Sequence, residues 1–171
     1  YENVVVTDKL YQHNIGAACG AWWTSNMNRC GSPNGYLIAD IDGTNIKWSY
    51  KGTNRPPEYQ MRVYKVGEFR TQNTFVVANI WDWDTHCRVV WYQDGKYMGR
   101  MEQFSDDDEM FLRTKPLPAQ MCKTRHLFRA KPTGRYRNIK VVFTNRFGKE
   151  YSQTIVNEGP RPAITDFKMK K

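Results

Sequence analysis

The sequence predicts an all-β protein whose larger part is an immunoglobulin-like β-sandwich. Nearly every patterned segment has the two-residue alternation of a strand, or its enrichment in β-branched and aromatic residues, and ends at Gly, Pro, Asn or Asp. No long segment has the 3.6-residue period of an amphipathic helix. Two Asp-Gly pairs, Asp42-Gly43 and Asp94-Gly95, each separate two strand-like segments. Such a pair is the strongest short-range sign of a β-hairpin, because both central residues of a type I′ turn need positive φ.

The predicted strands follow one another at short intervals. In the first part of the chain they cover residues 36–41 and 44–50. In the second part there are seven, at residues 58–66, 74–81, 88–93, 96–101, 125–130, 140–144 and 151–156. Seven short strands with turn signals in roughly 110 residues are typical of an immunoglobulin-like sandwich. Val89 and Trp91 fall on one face of their strand, where we expect them to fill the core.

We divide the chain near residues 51–57, where strand patterning stops and the consecutive prolines Pro56 and Pro57 exclude regular ladder pairing. Residues 58–171 then form the sandwich domain. Residues 1–57 hold only two or three strands with small-residue faces, which are too few for an independent domain. We therefore expect this first part to pack against something else.

The run Gly16-Ala17-Ala18-Cys19-Gly20 consists of very small residues and leads into Trp22 and Trp23. Small residues in a strand allow another backbone or layer to approach closely, and two adjacent indoles place one large ring on each face of the pleat. The run is therefore predicted to be a strand in a crowded, two-sided sheet.

The net charge of +9 is unevenly distributed. Residues 113–171 contain 15 Lys and Arg against 3 Asp and Glu, whereas residues 1–112 contain 11 against 14. This polarity is compatible with a polyanionic partner, a membrane headgroup surface, an acidic neighbouring domain or a solvated basic face. No nucleic-acid-binding motif accompanies the charge.

No apolar run approaches the ~18 residues of a membrane span. The sequence starts at Tyr1, without Met or a signal-like segment, which suggests an excised or processed piece.

Cys19, Cys30, Cys87 and Cys122 are widely spaced, with no Cys-x-x-Cys pair, so zinc-ribbon spacing is absent. An even number allows disulfides in an exported protein, and Cys19 with Cys30 could close a loop. Buried free thiols are the alternative.

Several motifs together resemble a known family. The run GAACGAWW is followed by a turn at Pro33-Asn34-Gly35-Tyr36, and further along stand EYQMRVY, ANIWDWD, WYQDGKYMG, HLFRA and NRFGKEYS. This set resembles the C-terminal region of bacterial calcineurin-like metallophosphoesterases, of the kind common in Bacteroides-type bacteria, over nearly the whole chain. The resemblance implies that residues 1–57 finish the second sheet of a catalytic αββα sandwich. It also implies an exported, periplasmic or secreted phosphohydrolase whose pair of divalent metals lies in a catalytic domain outside this chain.

No catalytic or metal-binding residue is predicted within the chain. Asp84-Thr85-His86 has the form of the first metal motif of that family, but a binuclear centre needs several more ligands. The Gly-Asp, Gly-Asn-His and Gly-His-x-His motifs are absent, so we expect Asp84-Thr85-His86 to be a surface turn. The acidic run 105–109 lacks the spacing and glycine of an EF-hand loop, and we expect a solvated loop within a long connection over residues 104–122.

The binding candidates are aromatic. Trp81 and Trp83, next to carboxylates at the end of a strand, could stack on a sugar ring, or could fill the core and an interface. Trp22 and Trp23 carry the same two alternatives. By resemblance His13 would lie near the active-site side of the complete enzyme, or would be a hydrogen-bonded structural histidine.

We therefore interpret the chain as a non-catalytic accessory region whose partner is its own N-terminal phosphoesterase domain, with an anionic substrate or a cell-surface glycan as further candidates. The alternative is a stand-alone carbohydrate- or cell-surface-binding module. The two differ over Trp22 and Trp23. An accessory region would bury them against the catalytic domain, whereas a lectin would display them in a concave site with convergent polar groups.

Overall fold

The computed structural model describes residues 2–20, 25–114 and 117–157. Its twelve strands and one short α-helix are, in order, β1 (Glu2–Thr7), β2 (Leu10–Asn14), β3 (Gly35–Asp42), β4 (Asn45–Gly52), β5 (Met61–Tyr64), β6 (Val76–Ile80), β7 (Arg88–Gln93), β8 (Lys96–Arg100), β9 (Glu102–Asp106), α1 (Glu109–Arg113), β10 (Thr124–Ala130), β11 (Asn138–Thr144) and β12 (Glu150–Val156). Two 3-10 turns lie at Arg70–Gln72 and Pro118–Gln120. In the part of the chain that the structure describes, no helix is long and apolar enough to cross a membrane.

The last eight strands form a β-sandwich of two four-stranded antiparallel sheets. Their orders are β5-β6-β10-β9 and β12-β11-β7-β8. If the eight strands are lettered A, B, C, C′, D, E, F and G along the chain, these orders read A-B-E-D and G-F-C-C′. This is the strand order of the immunoglobulin fold, so the predicted all-β sandwich is confirmed.

The two hairpins marked by Asp-Gly pairs form with different turns. Asp94 and Gly95 both have positive φ, 50° and 82°, as a type I′ turn requires. In the other hairpin Asp42 pairs with Asn45, so that Gly43, at φ 58°, is the first of two loop residues instead of the second. The hairpin was predicted correctly, but its turn is shifted by one residue.

The main core lies between the two sheets and consists of inward-facing residues of both. Trp91 is 6% exposed on the central strand β7 and pairs with Val141 of β11. Val89 is buried on the same face, as predicted. The cluster contains Met61, Val63, Val76, Ala78, Ile80, Val89, Trp91, Met101, Phe128, Ala130, Ile139, Val141, Phe143, Tyr151 and Ile155.

A third layer covers the outer face of the β5-β6-β10-β9 sheet. All five residues of β6 are buried, although a strand of a two-layer sandwich normally shows one face to water. A second apolar cluster on the outer face consists of Tyr64, Phe69, Val77 and Leu127, with Met110 of α1 packed against it. The sheet is therefore covered on both sides.

The first part of the chain contributes two separate two-stranded ribbons, β1-β2 and β3-β4, to the structure. The small-residue run between them is not a strand over its described residues. Gly20 has φ 74° and donates from its N–H to the Ala17 carbonyl, which forms a turn. A Cβ at Gly16 would overlap the side-chain amide of Asn28. Small residues are needed for close approach, as expected, but the approach is between loops and not within a sheet. Residues 21–24, with Trp22 and Trp23, lie outside the described residues.

The acidic run 105–109 is not a solvated loop. Residues Asp107, Asp108 and Glu109 are 8%, 0% and 6% exposed. Asp108 caps the N-terminus of α1 by accepting from the N–H groups of Met110 and Phe111, a role for which Asp is strongly preferred. The predicted long connection therefore contains strand β9 and a capped helix.

All four cysteines are free thiols. Cys30 is buried and Cys122 is exposed. Burial raises the pKa of Cys87 to about 12, so this thiol stays protonated at neutral pH and is a poor nucleophile.

Replacing the core tryptophan tests the sandwich. Trp91→Ala removes a large side chain from between the sheets and should lower the free energy of unfolding by about 3–5 kcal/mol. Chemical denaturation followed by circular dichroism measures this loss. The matched control is Tyr97→Ala on the neighbouring strand β8, where the ring is 56% exposed and its loss should cost much less. Equal stability of the two variants would contradict the assignment of Trp91 to the core.

Candidate functional site

The first part of the chain is joined to the sandwich at two polar sites that contain buried charged side chains. One is centred on Arg146, in the turn between β11 and β12. The other is centred on Asp108, at the start of α1. Both bring together residues that are distant in the sequence.

The Arg146 clamp consists of Arg146, Asp84, His86, Tyr11 and Trp48. The guanidinium Nε lies 3.0 Å from Asp84 Oδ2, and the two side chains are only 8% and 2% exposed. Another nitrogen of the guanidinium lies 2.7 Å from His86 Nδ1. Arginine can only donate, so His86 Nδ1 must accept and the neutral imidazole carries its proton on Nε2.

Two aromatic rings enclose the guanidinium. Its central carbon lies 4.3 Å from the ring centroid of Tyr11 on β2 and 5.0 Å from that of Trp48 on β4. The Trp48 ring also meets Phe147 edge to face, with centroids 4.9 Å apart. Cation–π contacts strengthen when the cation is removed from water, as it is here. The sandwich thus supplies the charge, and the two ribbons supply the aromatic walls.

Asp84-Thr85-His86 forms a turn in which Thr85 and His86 are exposed, as expected, but the turn also takes part in this clamp. Asp84 is buried, and its second oxygen accepts from the backbone N–H of His86 at 2.7 Å. The carboxylate therefore has partners on both oxygens and holds the loop in shape. The His86 side chain remains about half exposed.

His13 lies at the edge of the clamp. Its ring meets Trp48 edge to face, with centroids 4.6 Å apart, and it is partly buried. Burial, and next the positive charge of Arg146, lower the pKa of His13 below its ordinary value, while Asp84 acts in the opposite direction. The structural alternative for His13 matches this position; its suggested place near an active site stays a prediction.

The chemistry of the clamp is electrostatic. A cleft of about 380 Å³ beside it is lined by Tyr11, Trp48, His86 and Arg146 among others. Among the described residues, no group of three or more His, Cys, Asp or Glu is placed to hold a metal ion. The described residues therefore do not fit a binuclear metal centre.

The Asp108 network is the second junction. Asp108 Oδ2 accepts from the Tyr64 hydroxyl at 2.7 Å and from the Asn79 amide at 2.8 Å. The same Asn79 amide group donates to the Cys30 carbonyl at 2.8 Å. Burial, and next the charge of Asp108, raise the pKa of Tyr64 above its ordinary value, so its hydroxyl stays a donor.

Arg62 connects this network to the first part of the chain. Its guanidinium donates to the Gly31 carbonyl at 2.9 Å, lies 3.6 Å from Asp108 Oδ1, and stacks over Trp81 at 5.2 Å. Gly31 has φ 83°, and a Cβ there would overlap the Asp108 carboxylate. Only glycine allows the backbone to pass this close.

Of the four predicted binding tryptophans, the structure describes Trp81 and Trp83, and these two do not share a site. Trp81 is 0% exposed and contacts Tyr59 as well as Arg62. Trp83 is partly buried and packs on Phe128 of the core, with ring centroids 5.6 Å apart. It also lines a cleft of about 370 Å³ together with Gln103 and Arg125 among others. The binding roles of Trp83, and of Trp22 and Trp23 outside the described residues, stay predictions.

The sequence interpretation did not identify Arg146, Trp48, Arg62 or Asp108 as site residues. One signal was available for Asp108, because an Asp directly before a Glu and an apolar run is a helix N-cap pattern. The others become important only through contacts with distant strands, and no local pattern marks them.

A double-mutant cycle tests the buried ion pair. Arg146→Met leaves Asp84 buried without its partner and should lower the free energy of unfolding by about 3–5 kcal/mol. Adding Asp84→Asn should restore part of that loss, because the uncompensated charge is gone. Denaturant titration measures the free energy of unfolding of the wild type, the two single variants and the double variant. Arg88→Met, at an exposed arginine nearby, is the matched control and should change stability by less than about 0.5 kcal/mol. Additive effects of the two mutations would contradict the pairing.

The lowered pKa of His13 predicts a pH dependence. In the unfolded chain the pKa of His13 is about 6.5, and in the folded protein the pKa is lower, so the folded protein takes up the proton only at lower pH. The contribution to stability is therefore complete above about pH 6.5 and is lost as the pH falls through the lowered pKa. Histidines titrate roughly between pH 7.5 and pH 5, so the free energy of unfolding is measured over this range. It should fall less steeply with falling pH in His13→Gln than in the wild type. Identical slopes would reject this account.

Comparison with known families supplies the context for this geometry. A family model described as the C terminal of calcineurin-like phosphoesterase matches residues 12–151, well over half of the chain. The match begins within β2 and covers the β3-β4 ribbon and most of the sandwich. No curated protein and no solved structure matches significantly. The match agrees with the motifs that resemble this family. The chain belongs to the family of C-terminal regions of calcineurin-like phosphoesterases.

Proposed function

We propose that this chain is a non-catalytic accessory region that docks, through its two ribbons, on a phosphoesterase domain of the same polypeptide. The observation that carries the proposal is the distribution of exposed apolar side chains. Eight of the thirteen large hydrophobic side chains that are exposed in the described structure lie between Val4 and Ile46. Exposed apolar residues concentrated in one part of a molecule usually mark an interaction site.

The β3-β4 ribbon has apolar residues on both faces. Trp48 and Tyr50 lie on the face that is buried against the rest of the chain, and Ile41 and Ile46 continue that face at 70% and 51% exposure. On the opposite face Ile38 is 41% exposed. Strands that are apolar on both faces are typical of sheets covered on both sides. An isolated two-stranded ribbon is at best marginally stable, so a larger sheet is its natural partner.

The β1-β2 ribbon shows the same property. Val5 and Tyr11 are partly buried and pair across the ribbon, whereas Val6 and Leu10 are 50% and 56% exposed. Both ribbons have outer edges that pair with no other described strand. An unpaired edge offers backbone N–H and C=O groups to a further strand. These features support completion of the neighbouring domain's sheet by the ribbons.

On this proposal the whole protein is a metal-dependent phosphohydrolase, and the pair of divalent metals is held by the phosphoesterase domain. Resemblance of the motifs to exported enzymes of Bacteroides-type bacteria supports a periplasmic or secreted location. The alternative of a stand-alone carbohydrate-binding module gains no support from Trp81, which is fully buried.

Substituting the ribbon surface tests the docking. In the full-length protein Ile38→Asp with Ile46→Asp places two charges in the proposed interface, and burial of an unpaired charge is expensive. The variant should lose the contact between the two parts, seen as faster proteolytic separation and a separate thermal transition for the phosphoesterase domain. The matched control is Val66→Asp with Val156→Asp, at 40% and 55% exposure on the sandwich. The control should behave like the wild type.

Two results would contradict the proposal. One is equal behaviour of the ribbon variant and the control. The other is a gene that encodes no phosphoesterase domain upstream of this region.

A further inference from the structure

We propose that the end of the sandwich remote from the ribbons is a docking surface for an anionic phospholipid bilayer. This surface, here called the basic end, combines the exposed cations Lys65, Lys96, Lys131, Arg135 and Arg137 with the exposed apolar residues Val66, Tyr97 and Val156. Nothing in the proposed docking of the ribbons uses it.

Strand direction places the basic end away from the ribbons. β7 begins at Arg88, next to the Asp84 loop of the Arg146 clamp, and ends at Gln93; β11 runs antiparallel to it and ends just before Arg146. A six-residue strand is about 17 Å long. The β7-β8 turn and the loop before β11 therefore lie about one strand length from the clamp, and the proposed phosphoesterase contact leaves them free.

Hydrogen bonds hold the parts of the basic end together. Gln93 exchanges two side-chain bonds with the backbone of Thr133, at 2.7 and 3.1 Å. Asp94 Oδ1 accepts from the backbone N–H groups of Arg137 and Asn138 at 2.8 and 2.9 Å. The Asn157 N–H, just after β12, donates to the Arg137 carbonyl at 2.7 Å. The turn, the loop and the end of β12 thus form one continuous surface.

The charges of the basic end are not used within the described structure. Within residues 2–20, 25–114 and 117–157, none of its five cations forms an ion pair with a carboxylate. Among the described residues that build this end, the acidic ones are Asp94, which accepts the two backbone bonds, and Glu68, which accepts from the Lys65 N–H at 2.8 Å. Five cations outnumber these two carboxylates, so the described part of the surface carries an excess of positive charge, which attracts anions.

Apolar side chains stand among the cations. Val66, Tyr97 and Val156 are all exposed. Val66 and Val156 line a cleft of about 380 Å³ together with Lys65 and Tyr136. A soluble polyanion would gain from the cations but not from the valines. A bilayer surface gains from both, because anionic headgroups attract Lys and Arg while apolar and aromatic side chains enter the interface. This combination favours a bilayer over a soluble polyanion.

Vesicle sedimentation tests the proposal. The 171-residue chain should bind vesicles of phosphatidylcholine mixed equally with phosphatidylglycerol, should not bind phosphatidylcholine alone, and should be released by salt. Arg135→Glu with Arg137→Glu should lower the partition coefficient about tenfold or more. The matched control is Lys9→Glu with Lys47→Glu, two exposed cations on the ribbons with the same change in net charge. It should bind like the wild type.

A second pair of variants separates a bilayer from a soluble polyanion and does not depend on charge. Val66→Ser with Val156→Ser should weaken binding to the anionic vesicles but leave binding to inorganic polyphosphate unchanged. Thermal melting confirms that each variant is folded; if the Arg135/Arg137 variant is not, Lys96→Glu with Lys131→Glu replaces it. Three results would overturn the proposal: no vesicle binding by the wild type, equal loss in the Lys9/Lys47 control, or binding to polyphosphate without binding to vesicles.

Discussion

The buried carboxylate of Asp108 is the interaction on which the rest of the structure depends. A buried charge is tolerated only when it is surrounded by donors, and removing one partner of a buried pair costs about 3–5 kcal/mol. Asp108 therefore requires helix α1, whose N–H groups it accepts, together with Tyr64 from β5 and Asn79 from β6. Three separate pieces of the chain must be in place before this charge is stable.

The same carboxylate explains why the sandwich has a third layer. Asn79 and Arg62 point to the outer face of their sheet, which in a two-layer sandwich would meet water. Here they donate to the carbonyls of Cys30 and Gly31, and so hold a loop of the first part of the chain against the sheet. The Arg146 clamp makes a second connection at the end of the strands. These two connections fix the position of the ribbons relative to the sandwich. They also fix the direction in which the exposed faces of the ribbons point.

What could be predicted from the sequence is the information carried by neighbouring residues. The alternation in 88–93 and the Asp94-Gly95 pair depend on local backbone preferences, so this hairpin and the sandwich around it were predicted correctly. Helix α1 was not, because four consecutive acidic residues are usually solvated. The burial of Asp108 depends on the donors Asn79 and Tyr64, which are 29 and 44 residues away in the sequence.

The small-residue run, residues 16–20, also shows the difference between what local sequence predicts and what depends on tertiary contacts. Its composition indicated close approach correctly, since a Cβ at Gly16 would overlap Asn28. Which backbone approaches is a property of the tertiary structure, and the prediction of a strand was wrong for the described residues. The Arg146 clamp lay beyond sequence reasoning for the same reason, because Tyr11 and Trp48 meet Arg146 across about a hundred residues or more of chain.

The contacts of Asn79 with both Asp108 and Cys30 also limit how this region can be exchanged between proteins during evolution. From the sequence alone, the proline-containing segment near residues 51–57 is the expected domain boundary and therefore the expected site of recombination. Recombination there would separate the donors Arg62 and Asn79 from the carbonyls that they bind, and it would expose the outer face of β6. A fusion that moves the sandwich intact must therefore carry the segment around Cys30 and Gly31 with it, so the unit of inheritance begins well before the first strand of the sandwich.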